Sequence, residues 1–251
     1  MADRGALHVA GEAQLDDLDA FVAELPNLGL LERIDPLEVL KMVPVLNEDA
    51  VAGAAYERDA QDIDVNALLM GYIKGFRDAG GVLKMGARVR SLLRRAGAWA
   101  IKTSLGTMSA PIVVNAAGAW GDEVAYLAST RPVGLMPKRR TALTIDPGES
   151  YTDWPLTISL DETWYFRPEA GSLLISPADE TPSAPCDSQP EELDIAICID
   201  QIERVTRIKV GRLLSRRAGL RTFVQDKSPV CGYADDVDGF FWLAGQGGYG
   251  I

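Results

Sequence analysis

The end of the chain constrains the fold most. Residues 239–251 read Gly-Phe-Phe-Trp-Leu-Ala-Gly-Gln-Gly-Gly-Tyr-Gly-Ile. The apolar run Phe240 to Ala244 predicts a buried strand. Gly245, Gly247, Gly248 and Gly250 crowd the turn that follows it. Glycine adopts backbone angles closed to other residues and lets the main chain approach a ligand closely. Such a turn normally opens a helix whose N–H groups face an anionic or electron-rich ligand. The sequence stops where that helix is expected, so it reads as a cofactor-binding protein with part of its site cut off. Gly245 to Gly250 also satisfies G-x-G-x-x-G formally. A dinucleotide fingerprint needs a βαβ unit and an acidic residue about 20 residues further on. No sequence remains to supply them, so a turn meeting some other part of a cofactor is the better reading.

At 251 residues the chain suffices for one large domain or two interleaved ones. Hydrophobic content of 47% and charged content of 24% are those of a soluble globular protein. A formal net charge of −11 argues against a nucleic-acid or anionic-membrane partner, both of which want a basic face. The apolar stretches fall far short of a membrane span, and the opening Met-Ala-Asp-Arg-Gly lacks a signal pattern. Cys186, Cys198 and Cys231 have no metal or redox spacing and fit a reducing cytoplasm. The single histidine, His8, excludes a multi-histidine metal site. No nucleophile elbow accompanies it, which argues against a Ser-His-Asp hydrolase.

Helical periodicity covers Ala13 to Leu25, and Asp35-Pro36 starts a second helix, the Asp capping and the Pro filling the first turn. Val51 to Tyr56 predicts a short strand. A strong helix runs to Ala79, with Asp64 as N-cap and Gly80-Gly81 as stop. Val82–Met85, Val89–Leu93 and Trp99–Ser104 predict short strands, and Leu105-Gly106 a turn. Pro111 to Asn115 predicts a buried strand, broken at Ala116-Ala117-Gly118 before a helix from Trp120 to Leu127. Strands follow at Leu135–Ile145 and Leu156–Leu160, then a hairpin of Thr163–Pro168 and Ser172–Ser176. Pro177 to Pro190 reads as a surface loop and Glu191 to Val210 as a long amphipathic helix. Leu220–Val224, Val230–Tyr233 and Phe240–Ala244 close the chain as strands. The alternation predicts a mixed α/β fold with two interleaved subdomains.

Four segments carry residues suited to chemistry. Val113 to Trp120 is a strand, a small-residue turn and a helix start, which suits a close ligand or, equally, tight strand–helix packing. Arg221 sits inside an apolar strand. Its fork could hold a carboxylate in two parallel hydrogen bonds, or form a structural salt bridge with an internal acid. Lys138-Arg139-Arg140 offers cations, or a solvated basic cluster. Tyr165 offers a phenol, or a core aromatic.

The segments AYERDAQDIDVNAL, VVNAAGAW, PKRRTA, DWPLTISLDETWYFRPEAG, AGLRTF and GFFWLAGQGGYGI, in this order, resemble the FAD-dependent D-amino-acid oxidase/dehydrogenase family. The resemblance runs from about Arg4 to Ile251 and is nearest to the bacterial D-arginine dehydrogenase branch. It implies an FAD domain interleaved with a β-rich substrate domain. Residues 1–57 and 130–216 would form the substrate domain, and 58–129 and 217–251 the FAD domain. It implies hydride transfer from the Cα of a D-amino acid to the flavin, the imine then hydrolysing to a 2-oxo acid and ammonia. FAD is the implied cofactor, and no side chain is assigned as catalytic acid or base. Arg221 matches the arginine that pairs with the substrate carboxylate, and Tyr165 and Arg140 resemble its helpers. Asn115, Ala116, Ala117, Gly118 and Trp120 match a segment lining the cofactor. Gly245, Gly247, Gly248, Tyr249, Gly250 and Ile251 match the turn at the flavin ring. The implied partner is a small carboxylate-bearing amine, and the electron acceptor is unread. A secondary amine of the sarcosine or glycine type, or a 2-hydroxy acid, would satisfy Arg221 equally. The family's opening strand and G-x-G-x-x-G turn, part of a βαβ unit of roughly 30 residues, has no counterpart here, and neither does the helix after Ile251. The chain is therefore expected to be truncated, with a non-catalytic remnant as the alternative to an active enzyme, and poorly soluble where partner segments are lost. Selective D-arginine relatives carry an acidic residue where this sequence has Ala6, which argues against a basic substrate.

Overall fold

The computed structural model describes residues 1–24, 31–148 and 151–249. The proposed end of the first helix, Leu25, lies outside them, as do Gly250 and Ile251. The chain divides into two compact units. The first comprises Met1–Asp64, Arg140–Glu180 and Ser188–Gly219; the second comprises Val65–Arg139, Thr181–Asp187 and Leu220–Ile251.

A mixed sheet dominates the first unit. Its strands run in the order Met136–Ile145, Ser172–Ser176, Tyr165–Glu169, Leu156–Ser159, Ala6–Ala10, Gly53–Glu57, Glu32–Ile34. All neighbours are antiparallel except Leu156–Ser159 and Ala6–Ala10, which are parallel. Paired residues share a face of a sheet. The row Leu7, Thr157, Phe166, Ile175, Leu143 therefore points one way. It packs on Val39 of the helix Pro36–Met42 and on Ile195, Cys198 and Ile202 of the helix Glu192–Val205. Phe166 stacks on Trp164 at 5.8 Å and meets Trp154 edge-on at 6.0 Å. The first of these helices starts as the Asp-Pro pair predicts: Glu38 N–H donates to the Asp35 carboxylate at 3.0 Å, and Pro36 occupies the first turn.

The second unit holds a three-stranded meander, Val89–Arg95, Ala98–Thr103 and Gly106–Ala110, and a separate small sheet. In that sheet Phe240–Ala244 lies between antiparallel Val230–Tyr233 and parallel Val113–Asn115. Trp99, Phe240 and Trp242 form its core, and the Trp99 indole donates to the Gly239 carbonyl at 3.0 Å. The helix Val65–Asp78 stops as expected. Gly80 takes φ +83°, while Gly80 N–H and Gly81 N–H donate back to the carbonyls of Arg77 and Phe76.

Four predicted boundaries change. Val82–Met85 is not a strand: Val82 and Met85 are exposed, and the meander begins only after a left-handed turn at Gly86. The buried strand expected from Pro111 shortens to Val113–Asn115, with Ile112 and Val114 exposed. The long helix ends at Val205 rather than Val210. There Thr206 turns extended and bridges to Leu46, and the Asn47 amide donates to the carbonyls of Arg204 and Thr206. The strand expected at Leu220–Val224 instead spans Leu213–Phe223, laddered along Met136–Ile145. Its first half, Ser215-Arg216-Arg217, lacks the apolar alternation that marks a strand in sequence. The short strands Ala2–Asp3, Ala6–Ala10, Glu32–Ile34 and Gln61–Asp62 were not expected at all. Among the described residues no helix is long and apolar enough to cross a membrane.

Candidate functional site

In the second unit the two small-residue turns share one end of the sheet. Val113–Asn115 and Phe240–Ala244 run parallel, with Asn115 opposite Trp242. The turns Ala116–Gly118 and Gly245–Tyr249 therefore both leave from carboxyl ends of adjacent parallel strands. Open α/β sheets bind ligands outside such ends. The Asn115 side chain is buried and works locally. Its amide donates to the Gly121 carbonyl at 2.8 Å, and its oxygen accepts from Ala117 N–H at 3.4 Å. Asn115 thus holds the turn in shape. Ala116 and Trp120 are exposed beside it, while Ala117 and Gly118 are half-buried. Gly118 takes φ +55°, and a Cβ there would meet nothing within 4 Å, so the space over this turn is open.

The glycine turn lies against the strand that carries Arg221. Gly245 and Gly247 take φ +73° and +52°. Gly247 N–H donates to the Thr222 carbonyl at 2.8 Å. A Cβ on Gly248 would sit 3.4 Å from Arg221 Nη1, which places the guanidinium beside the turn. Arg221 is half-buried, less enclosed than its apolar surroundings in sequence suggest. Among the described residues its side chain makes no hydrogen bond or ion pair. The internal salt bridge that was the plain alternative is therefore absent there.

Tyr165 and Arg140 belong to the first unit. Tyr165 pairs with Ile158 and Ser176, and Ile158 pairs with His8. This row faces away from the packed helices. Arg140, three residues from core-facing Leu143, points to the same outer side. Arg140 pairs with Glu180 at 3.4 Å. Arg167, also on this side, lies between Asp62 and Glu169 at 3.2 and 3.1 Å; Asp62 also holds Arg4, and Glu169 also holds Arg217. The outer face is thus a chain of matched charges beside the Tyr165 phenol. His8 is kept neutral: burial lowers its pKa from 6.5, opposed by the Glu162 carboxylate, and its ring packs on Phe21 at 4.9 Å.

Within one unit, then, Arg221 and the glycine turn come together, and the Asn115–Trp120 segment leaves the same end of the small sheet as that turn, while Arg221 itself lies on a strand paired with Met136–Ile145. Tyr165 and Arg140 share a face in the other. Sequence reading missed Phe223. Its ring lies under Gly247 and beneath the Lys138 ammonium, 4.9 Å from the ring centre. The only signal is an aromatic two residues after Arg221. Cys198 is no nucleophile: burial, with the Asp179 charge, pushes its thiol up to about 12. Among the described residues no group of His, Cys, Asp and Glu is arranged to hold a metal.

Human mitochondrial dimethylglycine dehydrogenase is 28% identical over 239 residues, 87% of this chain. Mouse mitochondrial sarcosine dehydrogenase is 23% identical over 236 residues, again 87% of the chain. The chain spans only 28% and 25% of the length of these relatives. Glycine oxidase from Geobacillus kaustophilus superimposes with a TM-score of 0.85 at 20% identity, over 98% of this chain and 66% of its own. That likeness establishes a shared mixed α/β fold. These proteins are not specifically D-arginine dehydrogenases, so the branch suggested by the sequence motifs gives way to the wider family. The family model described as DAO, FAD dependent oxidoreductase, matches residues 1–251, and the chain belongs to that family, whose cofactor is FAD.

Proposed function

We propose that this chain belongs to a flavoenzyme that oxidises a small carboxylate-bearing amine of the glycine type, such as an N-methylated glycine. The observation that carries the reading is Arg221: a half-buried guanidinium beside a glycine turn, with no carboxylate of the described residues engaging it. A guanidinium so placed binds a carboxylate through two parallel, charge-assisted hydrogen bonds. The curated relatives' names point to N-methylated glycines, which carry that group. D-Amino acids, implied by the motif resemblance, carry it too and form the second reading.

The second unit is then the FAD-binding part and the first the substrate part. The residues suit a flavin. Gly118 opens a space that a side chain would fill, and Gly245, Gly247 and Gly248 bring bare backbone to the same sheet end. Residues Asn115–Gly118 and Trp120, with Gly245, Gly247, Gly248 and Tyr249, would hold it, and its chemistry when bound is to accept a hydride. Arg221 binds and orients the substrate carboxylate, which fixes the carbon beside the nitrogen. Tyr165 and Arg140, the latter tempered by Glu180, match substrate-side residues of the family and share the outer face of the first unit. The amine would pass a hydride from that carbon to the flavin and be left as a cationic iminium, which releases a proton to water where the nitrogen carries one. Water then adds, and the C–N bond breaks to give a carbonyl compound and an amine. Ala6 is buried and uncharged, which suits a substrate without a cationic side chain.

Replacing Arg221 with Ala in the FAD-loaded protein tests this. The expected result is a loss of about 10- to 100-fold in kcat/KM, the value of one or two charged hydrogen bonds, with Arg221→Lys in between. An unchanged value would remove the carboxylate assignment.

A further inference from the structure

We infer that Phe223 is a positioning residue that sets the glycine turn and the Arg221 guanidinium as one body, with Lys138 holding its ring. The inference rests on reading Gly245–Tyr249 as the flavin-facing turn. A glycine-rich segment loses more chain entropy on ordering than any other, so something must fix it. The turn's own side chains do not: Gln246 is exposed and Tyr249 is 73% exposed. What fixes it comes from the strand beneath. Gly247 N–H donates to the Thr222 carbonyl at 2.8 Å. The Phe223 ring lies so close under Gly247 that a Cβ there would stand 2.7 Å from Cε1 and 2.8 Å from Cδ1. Phe223 is itself buried, and the Lys138 ammonium sits over its ring at 4.9 Å, an attraction that resists ring displacement. Arg221 and Phe223 are two apart on one strand and so share a face. Guanidinium and ring therefore lie side by side, one beside Gly248 and the other under Gly247. Any shift of the ring moves the turn and the carboxylate-binding group together.

A core aromatic with no such role would lower the stability of the whole unit and nothing more. Amide hydrogen exchange of the full chain, read at Gly247 without FAD or substrate, separates the two. Phe223→Leu is expected to speed Gly247 exchange about ten-fold, while the amides of Trp99 and Phe240 in the same unit change by less than about two-fold. Lys138→Met, which leaves the core intact, is expected to speed it by about three-fold. Gly247 exchange within about two-fold of wild type, or protection lost evenly across the unit, would overturn the inference. If Phe223→Leu does not fold, Lys138→Met decides alone: unchanged Gly247 exchange refutes it. Because no ligand enters the measurement, a failed Arg221 assignment and a failed Phe223 role give different results.

Discussion

Gly247 meets two demands at once, a backbone angle of φ +52° and a ring 2.7 Å from where its Cβ would stand. Gly118 meets only the first, since nothing lies within 4 Å. Gly247→Ala should therefore cost about 2–4 kcal/mol, backbone strain plus a steric shift, and Gly118→Ala about 1–2 kcal/mol, strain alone. Urea unfolding of the two variants measures the difference. The glycine positions were legible in sequence because a dense run of glycine after an apolar strand has few uses. The partner that makes Gly247 strict was not, since an aromatic in an apolar strand announces burial and not which neighbour it touches. Arg221 shows the same limit. The sequence offered a carboxylate ligand or an internal salt bridge, and only the fold reveals that no described acid reaches it.

Elements end where distant chain captures them, and sequence periodicity does not see that capture. Helix Glu192–Val205 continues in pattern to Val210, yet Leu46 and Asn47 take over its exit through Thr206. The strand Leu213–Phe223 is hidden for the opposite reason. Its exposed arginines are paired with Glu192 and Glu169, so polar residues stand where a strand normally alternates. The strand–turn–helix at 113–127 was read nearly as it is, because small residues between apolar runs admit little else. Its stability hangs on one side chain. Asn115→Ala leaves the buried Gly121 carbonyl and the Ala117 N–H without their partner. The expected loss is about 1–3 kcal/mol by urea unfolding, together with weaker FAD binding, because the turn loses its shape. Asn115→Asp, which keeps the acceptor but not the donor, should recover only the Ala117 contact.

At the scale of the molecule, the response to pH and the tendency to associate can both be measured. His8 is the only histidine, and its pKa is lowered in the folded protein. The unfolded chain therefore binds this proton more readily, so stability falls as pH drops below 6.5 and levels off once folded His8 is also protonated. Thermal unfolding followed downward through that pH should show the loss, and His8→Gln should flatten it. The helix Val65–Asp78 buries no residue, and Val65, Leu69, Tyr72 and Phe76 recur along it at helical spacing, each more than half exposed. A stripe of this kind binds hydrophobic dye and promotes association. Dye fluorescence should fall when Leu69 and Phe76 are replaced by Lys and Glu. The mixed α/β class was legible from the alternation of strand and helix patterns, and the FAD family from ordered motifs across the chain. The substrate branch was not, since it depends on a few side chains that the motifs do not contain.

The chemistry proposed for this chain turns on Arg221 recognising a carboxylate on the amine being oxidised. Mixing the FAD-loaded protein without oxygen with sarcosine, N,N-dimethylglycine or D-alanine, and with the methyl ester of each, tests it through the flavin's visible absorbance. Bleaching is expected with at least one free acid, at a rate about ten-fold or more above that of its ester, and Arg221→Ala should abolish that preference. Equal bleaching by acid and ester, or an acid preference that survives Arg221→Ala, would contradict it.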